Sequence, residues 1–409
     1  MSKISPSIES VAGFRAAGVH AGLKKDGALD FALIVSEADC VAAGVFTRNK
    51  VKAAPVLLDM ERLANDAESI RAVATNTISA NACTGAIGLQ NARATSDLVA
   101  EALDIAAEQV LVMSTGVIGT HLPMDKIARG VDLSSANLGD DWRAAAAAIM
   151  TTDTRPKLGS VRVESDSGAY TLAGMVKGAG MIAPNMATML SVIVTDAAIS
   201  AEAAGEALRS ATQESFNRIV VDGDTSTNDT VLLLANGGSG VAPATDQELA
   251  EFQTALTDLC RYLAQEVVRD GEGVTKFVTL DIINADSEAA AERIGQTIGA
   301  SVLTKSAFYG SDANWGRIVA AAGRAGTAFN PDSTSLWVAA GESLPDDQRG
   351  LRIFSGGMPT DYQEADAAAI MAEPSITFTL DCGMGAGCAT IWTCDISHDY
   401  ISINGDYRS

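Results

Sequence analysis

The chain reads as an α/β protein of packed sheet and helix layers. Three observations predict that class. Helix-period and strand-period segments alternate from end to end, with no low-complexity linker and no internal repeat. The strand candidates include both alternating and continuous apolar runs, so half-buried and fully buried strands are both expected. Hydrophobic residues make up 47% of 409 residues and aromatics 5%, ample for a full core but short of the aromatic platforms of binding modules. No change of composition marks a domain boundary, and length alone suggests about two or three domains or one large unit.

Taken in order, residues 22–36 contain the apolar run FALIV, a strand, and residues 44–47 read as a second strand. Over 96–110, Leu98, Val99, Leu103 and Ala106 recur at helical spacing, with Ser96 placed as the N-cap. VLVM then runs into Ser114-Thr115-Gly116, a strand that opens into a polar turn. Residues 142–150, with five consecutive alanines, read as a close-packed helix. Residues 170–176 alternate as a strand, and 189–194 form an apolar one. The clearest helix starts at Thr245, where TDQE forms a capping box. Leu249, Phe252, Leu256, Leu259 and Leu263 share its apolar face, and Gly271 lies just past its end. Residues 276–284 alternate as a strand, and 286–298 read as a helix. SITFTLDCGMGAGCATIWTCDIS (375–397) reads as a hairpin of two period-2 runs around a Gly-rich turn.

A formal charge of −22 argues against a nucleic-acid partner, since no basic patch offsets so large a repulsion. Cys40, Cys83, Cys260, Cys382, Cys388 and Cys394 are scattered with no CxxC pair, the usage of reduced thiols in a cytoplasmic protein. The opening MSKISPSIESVAGF lacks the apolar core of a signal peptide, and no run approaches the roughly 18 apolar residues of a membrane span. The expectation is a cytoplasmic protein with no membrane partner. His20, His121 and His398 are the three histidines, and no carboxylate joins a His or Cys at metal-ligand spacing, so no metal site is expected.

The chemistry concentrates in KGAGMIAPNMATMLSVIV (177–194), a Gly-, Ala- and Pro-rich turn between two strand runs. It sets Ala187 directly before Thr188. A turn of that kind can hold a hydroxyl against the preceding carbonyl, permit an N–O acyl shift, and expose a threonine whose own α-amine serves as base. An α-amine titrates near 7.7–8.0, so a neutral fraction exists at neutral pH. STGVIG (114–119), TTDT (151–154) and DGEG (270–273) are further small polar segments at apparent strand ends. Thr115-Gly116 offers a hydroxyl and an N–H to an oxyanion. On residues alone the plainer readings stand beside these. Thr188 is a half-buried strand residue, STG a turn, Lys177 a solvated strand end, and Glu272 part of a helix-terminating loop. GAGMIA (178–183) fits the G-x-G-x-x-G/A fingerprint with Asp196 downstream, but Pro184 and Asn185 interrupt the helix a dinucleotide site needs. That reading is rejected.

The ordered blocks GFRAAGVHAGLK, FTRNKVKAAPV, NACTG, STGVIG, TTDT, KGAGMIAPNMATML, VDGDTSTNDT, RDGEGVTKF, NWGRI, ATIWTCDIS and INGDYRS carry a resemblance over essentially the whole chain. It resembles the bifunctional ornithine acetyltransferase/glutamate N-acetyltransferase (ArgJ) family of arginine biosynthesis. The resemblance implies a layered α/β sandwich similar to N-terminal-nucleophile hydrolases, DmpA/ArgJ-like, though differently connected. It implies self-cleavage between Ala187 and Thr188, giving an α chain of 1–187 and a β chain of 188–409 in an α2β2 heterotetramer. Thr188 is then the nucleophile that carries acetyl from N2-acetylornithine to glutamate, with acetyl-CoA as a further donor and no bound cofactor. Thr115 and Gly116 match the oxyanion hole; Thr151, Lys177, Thr188, Glu272, Asn404 and Ser409 match the substrate-contacting set, with Thr152 an alternative to Thr151. The segment before NACTG departs from the family, reading NTIS where a Gly- and Asn-containing turn is usual, and Cys382 replaces an aliphatic residue. The competing expectations are a self-processing amidase or aminopeptidase using the same threonine, and a soluble acidic scaffold that stays one chain.

Overall fold

The computed structural model describes residues 3–183, 189–343 and 349–406. The chain divides into two compact units. The first takes the described residues of 1–178, 185–217 and 225–267, the second those of 179–184, 218–224 and 268–409.

The first unit is built on one sheet. Its strands are β1 (Phe14–Val19), β2 (Phe31–Phe46), β3 (Ile70–Asn76), β4 (Val110–Ser114), β5 (Lys157–Ser165), β6 (Gly168–Lys177) and β7 (Leu190–Thr195). After the short β8 (Ile219–Val220), which belongs to the second unit, β9 (Thr230–Ala235) completes it. The order is β4-β3-β2-β9-β7-β6-β5, with β1 paired to the first part of β2. The two strands read at 22–36 and 44–47 are one strand, β2. Exposed Glu37, Ala38 and Asp39 break its apolar pattern where the register with β3 shifts, and beyond them it pairs with β9.

Alternation explains why FALIV is apolar throughout. Phe31 and Leu33 face helices Ala54–Asn65, Gly85–Leu103 and Met124–Ala136, whereas Ala32 and Ile34 face Trp142 and the alanines of helix Trp142–Ala148. Both faces are dry, so both carry apolar side chains. Full burial of a side chain such as Phe31 contributes about 1.5–3 kcal/mol.

The helix read from Ser96 begins earlier, at Gly85. Ser96 is therefore no cap. It is buried in mid-helix, accepts from Arg62 Nη2 at 2.7 Å and donates to Arg93 O at 2.7 Å. The Thr245 capping box is present: Glu248 N–H donates to Thr245 Oγ1 at 3.2 Å and Thr245 N–H to Glu248 Oε2 at 3.1 Å. Helix Asp246–Arg269 follows, burying Phe252, Leu256, Leu259 and Leu263.

The second unit holds β8 with β10 (Phe277–Ala285), β11 (Ser335–Ala340), β12 (Leu351–Ser355), β13 (Met358–Pro359), β14 (Ser375–Asp381) and β15 (Gly387–Cys394). Their order is β13-β12-β11-β14-β10-β15-β8. This corrects the expected hairpin. β14 and β15 do not pair with each other, because β10 lies between them, parallel to β14 and antiparallel to β15. Helices Glu288–Gly299, Val302–Tyr309, Trp315–Gly323 and Glu364–Met371 cover one face over Val278, Leu280, Ile282, Ile376, Phe378 and Leu380. Each unit is thus a sheet layered with helices, the α/β class that the sequence predicts. Among the described residues no helix is long and apolar enough to cross a membrane.

Candidate active site

In the first unit, β4 ends at Ser114 and hands the chain to Thr115 and Gly116. Thr115 N–H donates to Asn76 O at 3.0 Å and Val117 N–H to Ile78 O at 2.9 Å, laying the turn against the segment after β3. Asn228 Nδ2 donates to Ser114 O at 2.8 Å and Ala80 O at 2.7 Å, tying both segments together. Gly116 has φ +136°, and a Cβ there falls 2.2 Å from the Ile78 carbonyl carbon. Only glycine fits. Held this way, the Thr115 hydroxyl and the Gly116 N–H have no hydrogen-bond partner among the described residues. Two uncommitted donors side by side on a fixed support are what a developing oxyanion requires.

Thr151 and Lys177 meet through a residue the sequence reading left without a role. Asp153 Oδ1 accepts from Lys157 Nζ at 2.5 Å and from Gly178 N–H at 2.6 Å, and Oδ2 accepts from Thr151 N–H at 2.9 Å. Lys177, at the end of β6, is 3% exposed, which removes the solvated-strand-end reading. Burial acts to raise the Asp153 carboxyl; the Lys177 and Lys157 ammonium groups and the Thr151 N–H outweigh it and hold the carboxyl well below the usual range. Lys24 also feels Asp153 and Lys177, its own ammonium pushed down chiefly by burial. Lys24, Lys157 and Lys177 share this region with Asp153 and, beside Lys24, with Asp30 and Asp26, so charged groups of both signs line it.

In the second unit, Glu272 follows helix Asp246–Arg269, so DGEG sits at a helix end and not at a strand end. TTDT likewise follows helix Trp142–Ala148. Glu272 N–H donates to Ala179 O at 2.9 Å, and its carboxylate accepts from Asn404 Nδ2 at 2.7 Å. A Cβ on Gly180 lies 2.4 Å from Glu272 Oε2, so the carboxylate seats directly on that glycine. Helix His398–Gly405 brings Asn404 there, capped by Ser397, whose hydroxyl also donates to Gly273 O at 2.6 Å. Asp222, also unassigned from sequence, accepts from Met181 N–H at 2.5 Å, Ile182 N–H at 2.8 Å and Tyr400 Oη at 3.1 Å.

The expected sites therefore fall into two local clusters. Thr115, Gly116, Thr151 and Lys177 belong to the first unit, Glu272 and Asn404 to the second. Ala187, Thr188 and Ser409 lie outside the described residues. Asp196 donates nothing to a dinucleotide reading, since it accepts from Thr171 N–H at 2.7 Å and Ala12 N–H at 3.3 Å. The missed residues Asp153, Asp222 and Asn228 all lie in the Thr- and Asp-rich blocks TTDT and VDGDTSTNDT. Their one sequence signal was that company.

A layered α/β fold with a fixed hydroxyl–amide donor pair and a buried lysine cluster defines an enzyme class suited to acyl transfer. The profile of the ArgJ family matches residues 15–409. The "Arginine biosynthesis bifunctional protein ArgJ" of Geobacter sulfurreducens is 46% identical over 98% of this chain and 100% of its own. That of Thermotoga neapolitana is 44% identical over 97% and 99%. A solved structure of ornithine acetyltransferase complexed with ornithine, from Mycobacterium tuberculosis, is 43% identical and covers 46% of this chain and 100% of that one, with a TM-score of 0.42. The chain belongs to the ArgJ family.

Proposed function

We propose that this enzyme of arginine biosynthesis transfers acetyl from N2-acetylornithine to glutamate through an acyl-enzyme on Thr188. Cleavage between Ala187 and Thr188 gives chains 1–187 and 188–409 and frees the Thr188 α-amine. That amine takes the proton from Thr188 Oγ, which attacks the acetyl carbonyl. The oxyanion that forms receives the Thr115 hydroxyl and the Gly116 N–H. Collapse breaks the acetyl–nitrogen bond, the proton passes to the departing amine, and ornithine leaves. The glutamate amine then attacks the acetyl ester, restoring Thr188 and giving N-acetylglutamate.

Lys177 pairs with the substrate carboxylate in the charged region around Asp153, with Thr151 beside it. Glu272, oriented by Asn404, attracts the amino end or relays a proton. Ser409 joins the contacting set. Acetyl-CoA serves as a second acetyl donor, no cofactor is bound, and the chains assemble as α2β2 in the cytoplasm.

The observation that carries this reading is the Thr115 hydroxyl and Gly116 N–H, side by side and without a hydrogen-bond partner among the described residues. A denaturing gel of wild type beside Thr188→Ala tests it. Two fragments for wild type and one intact chain for the variant are expected; fragments persisting in the variant would sink the role of Thr188. Acetylornithine turnover separates transfer from hydrolysis. Ornithine release should track glutamate and yield acetylglutamate, and release indifferent to glutamate marks an amidase.

A further inference from the structure

Two buried asparagine side chains grip the turn that carries the Thr115 hydroxyl and the Gly116 N–H. Asn76 closes β3, and Asn228 lies just before β9. The amide of Asn228 faces one way only. Ser114 O and Ala80 O lie 2.8 and 2.7 Å from its Nδ2, and both are acceptors, so the nitrogen commits its two hydrogens to them. Its Oδ1 accepts from Thr227 Oγ1 at 2.6 Å. The backbone beneath is held as well: Asn228 N–H donates to Ser226 Oγ at 3.0 Å, and Asn228 O accepts from Thr230 Oγ1 at 2.9 Å. Asn76 is engaged to the same degree. Its Nδ2 donates to Thr77 O and Ser79 O at 3.1 Å each, and its Oδ1 accepts from Ser114 Oγ at 2.6 Å.

These bonds converge on one peptide group. The Ser114 carbonyl receives Asn228 Nδ2, and the Thr115 N–H of the same peptide donates to Asn76 O at 3.0 Å. A peptide is planar, so holding its C=O and its N–H fixes its plane and the direction in which Thr115 leaves it. Beyond Gly116 the chain is held again, since Val117 N–H donates to Ile78 O at 2.9 Å and Val117 O accepts from Ala80 N–H at 3.1 Å. The two donors lie between clamped peptides. We infer that Asn228, together with Asn76, is a positioning residue for acetyl transfer, keeping the Thr115 hydroxyl and the Gly116 N–H aimed at the oxyanion. This rests on Thr115 and Gly116 as the oxyanion donors. Donors aimed in advance stabilise charge without reorganising as it forms, whereas a displacement of about 1 Å costs about 100-fold in rate.

The test compares steady-state kinetics of Asn228→Asp, Thr115→Val and the double variant in the full chain. Asn228→Asp keeps the shape of the side chain but sets an oxygen against two carbonyls, so the Ser114–Thr115 peptide loses its hold. It is expected to keep its KM for acetylornithine within about twofold and to lose kcat by about tenfold or more. A residue that acts through the donors has less to lose once one donor is gone. The double variant should therefore lose less than the product of the two single losses. Unchanged kcat in Asn228→Asp, or losses that multiply in full, overturn the inference, while an impaired Thr115→Val leaves the oxyanion reading standing. Thr115→Val with full activity sinks that reading and the inference with it. Should Asn228→Asp fail to fold, Thr227→Val decides, because it removes the hydroxyl that steadies the amide and leaves Asn228 in place. A kcat lowered by about threefold or more at unchanged KM supports the inference, and an unchanged kcat overturns it.

Discussion

Asp153 and Lys157 form an ion pair of 2.5 Å with both side chains withdrawn from solvent. The pair does more than close a gap between a loop and the start of β5. The same carboxylate holds the N–H groups of Thr151 and Gly178, so the position of each depends on one buried charge. Lys177, next to Gly178, contributes to keeping that carboxylate ionised. A buried pair adds little net stability against an apolar replacement, but removing one partner strands the other.

Asp153→Ala should therefore destabilise by about 3–5 kcal/mol, the cost of leaving a buried charge without its partner. Asp153→Asn keeps the shape and reports the charge. The folded carboxyl lies below its unfolded value, so its stabilisation is fully present above about pH 4 and is lost as pH falls through the depressed value. Thermal unfolding between about pH 5 and pH 2 should fall less steeply for Asp153→Asn than for wild type. Parallel curves would show that Asp153 does not carry this linkage.

The layered class was legible because it depends on local periodicity, and most elements stand where their pattern put them. Strand partners were not. β14 and β15 look like a hairpin because a Gly-rich turn joins two period-2 runs, and nothing local reveals that β10 inserts between them. β2 looked like two strands because Glu37–Ala38–Asp39 face solvent at a register shift. At the site, residues with familiar chemistry such as Lys177 and Glu272 could be nominated from their blocks. Asp153 and Asp222 could not be told from the other carboxylates among 51 acidic residues, since what distinguishes them is the backbone N–H groups of Gly178, Met181 and Ile182, which only the folded chain brings to them.

Thr115→Val replaces the hydroxyl with a methyl of similar volume. Because the Thr115 hydroxyl has no internal partner among the described residues, stability should change by less than about 0.5 kcal/mol. Loss of one oxyanion donor should lower kcat by about 100-fold or more with little change in KM. Full activity in Thr115→Val would remove this hydroxyl from the reaction.

Ile78 has φ +74° although it is β-branched and 42% exposed. Its carbonyl receives Val117 N–H and its peptide lies against Gly116, so the turn requires this backbone whatever the side chain. A β-branched residue in that region stores about 1–3 kcal/mol of strain, and glycine returns part of the relief as unfolded-state entropy. Ile78→Gly should stabilise by about 1 kcal/mol, seen as a higher urea midpoint at unchanged slope. A lower midpoint would mean that the isoleucine side chain contributes more than its backbone costs.

Tyr400 Oη donates to Asp222 Oδ2 at 3.1 Å and so ties helix His398–Gly405, which carries Asn404, to the loop that holds Met181 and Ile182. Burial raises the Asp222 carboxyl, and the Tyr400 hydroxyl is among the donors that oppose this. A raised carboxyl favours folding at acid pH and loses that contribution as pH rises through its shifted value. Removing a donor raises it further, so Tyr400→Phe should cost about 0.5–1.5 kcal/mol at an acid pH where the carboxyl is protonated, and more at a higher pH where it has ionised. KM should rise more than kcat falls, because the variant loosens the helix that orients Asn404 and leaves the hydroxyl–amide donors at Thr115 and Gly116 in place. Thermal unfolding at the two pH values and steady-state kinetics check both halves. An equal cost at both pH values would mean that the tyrosine does not act through the Asp222 charge.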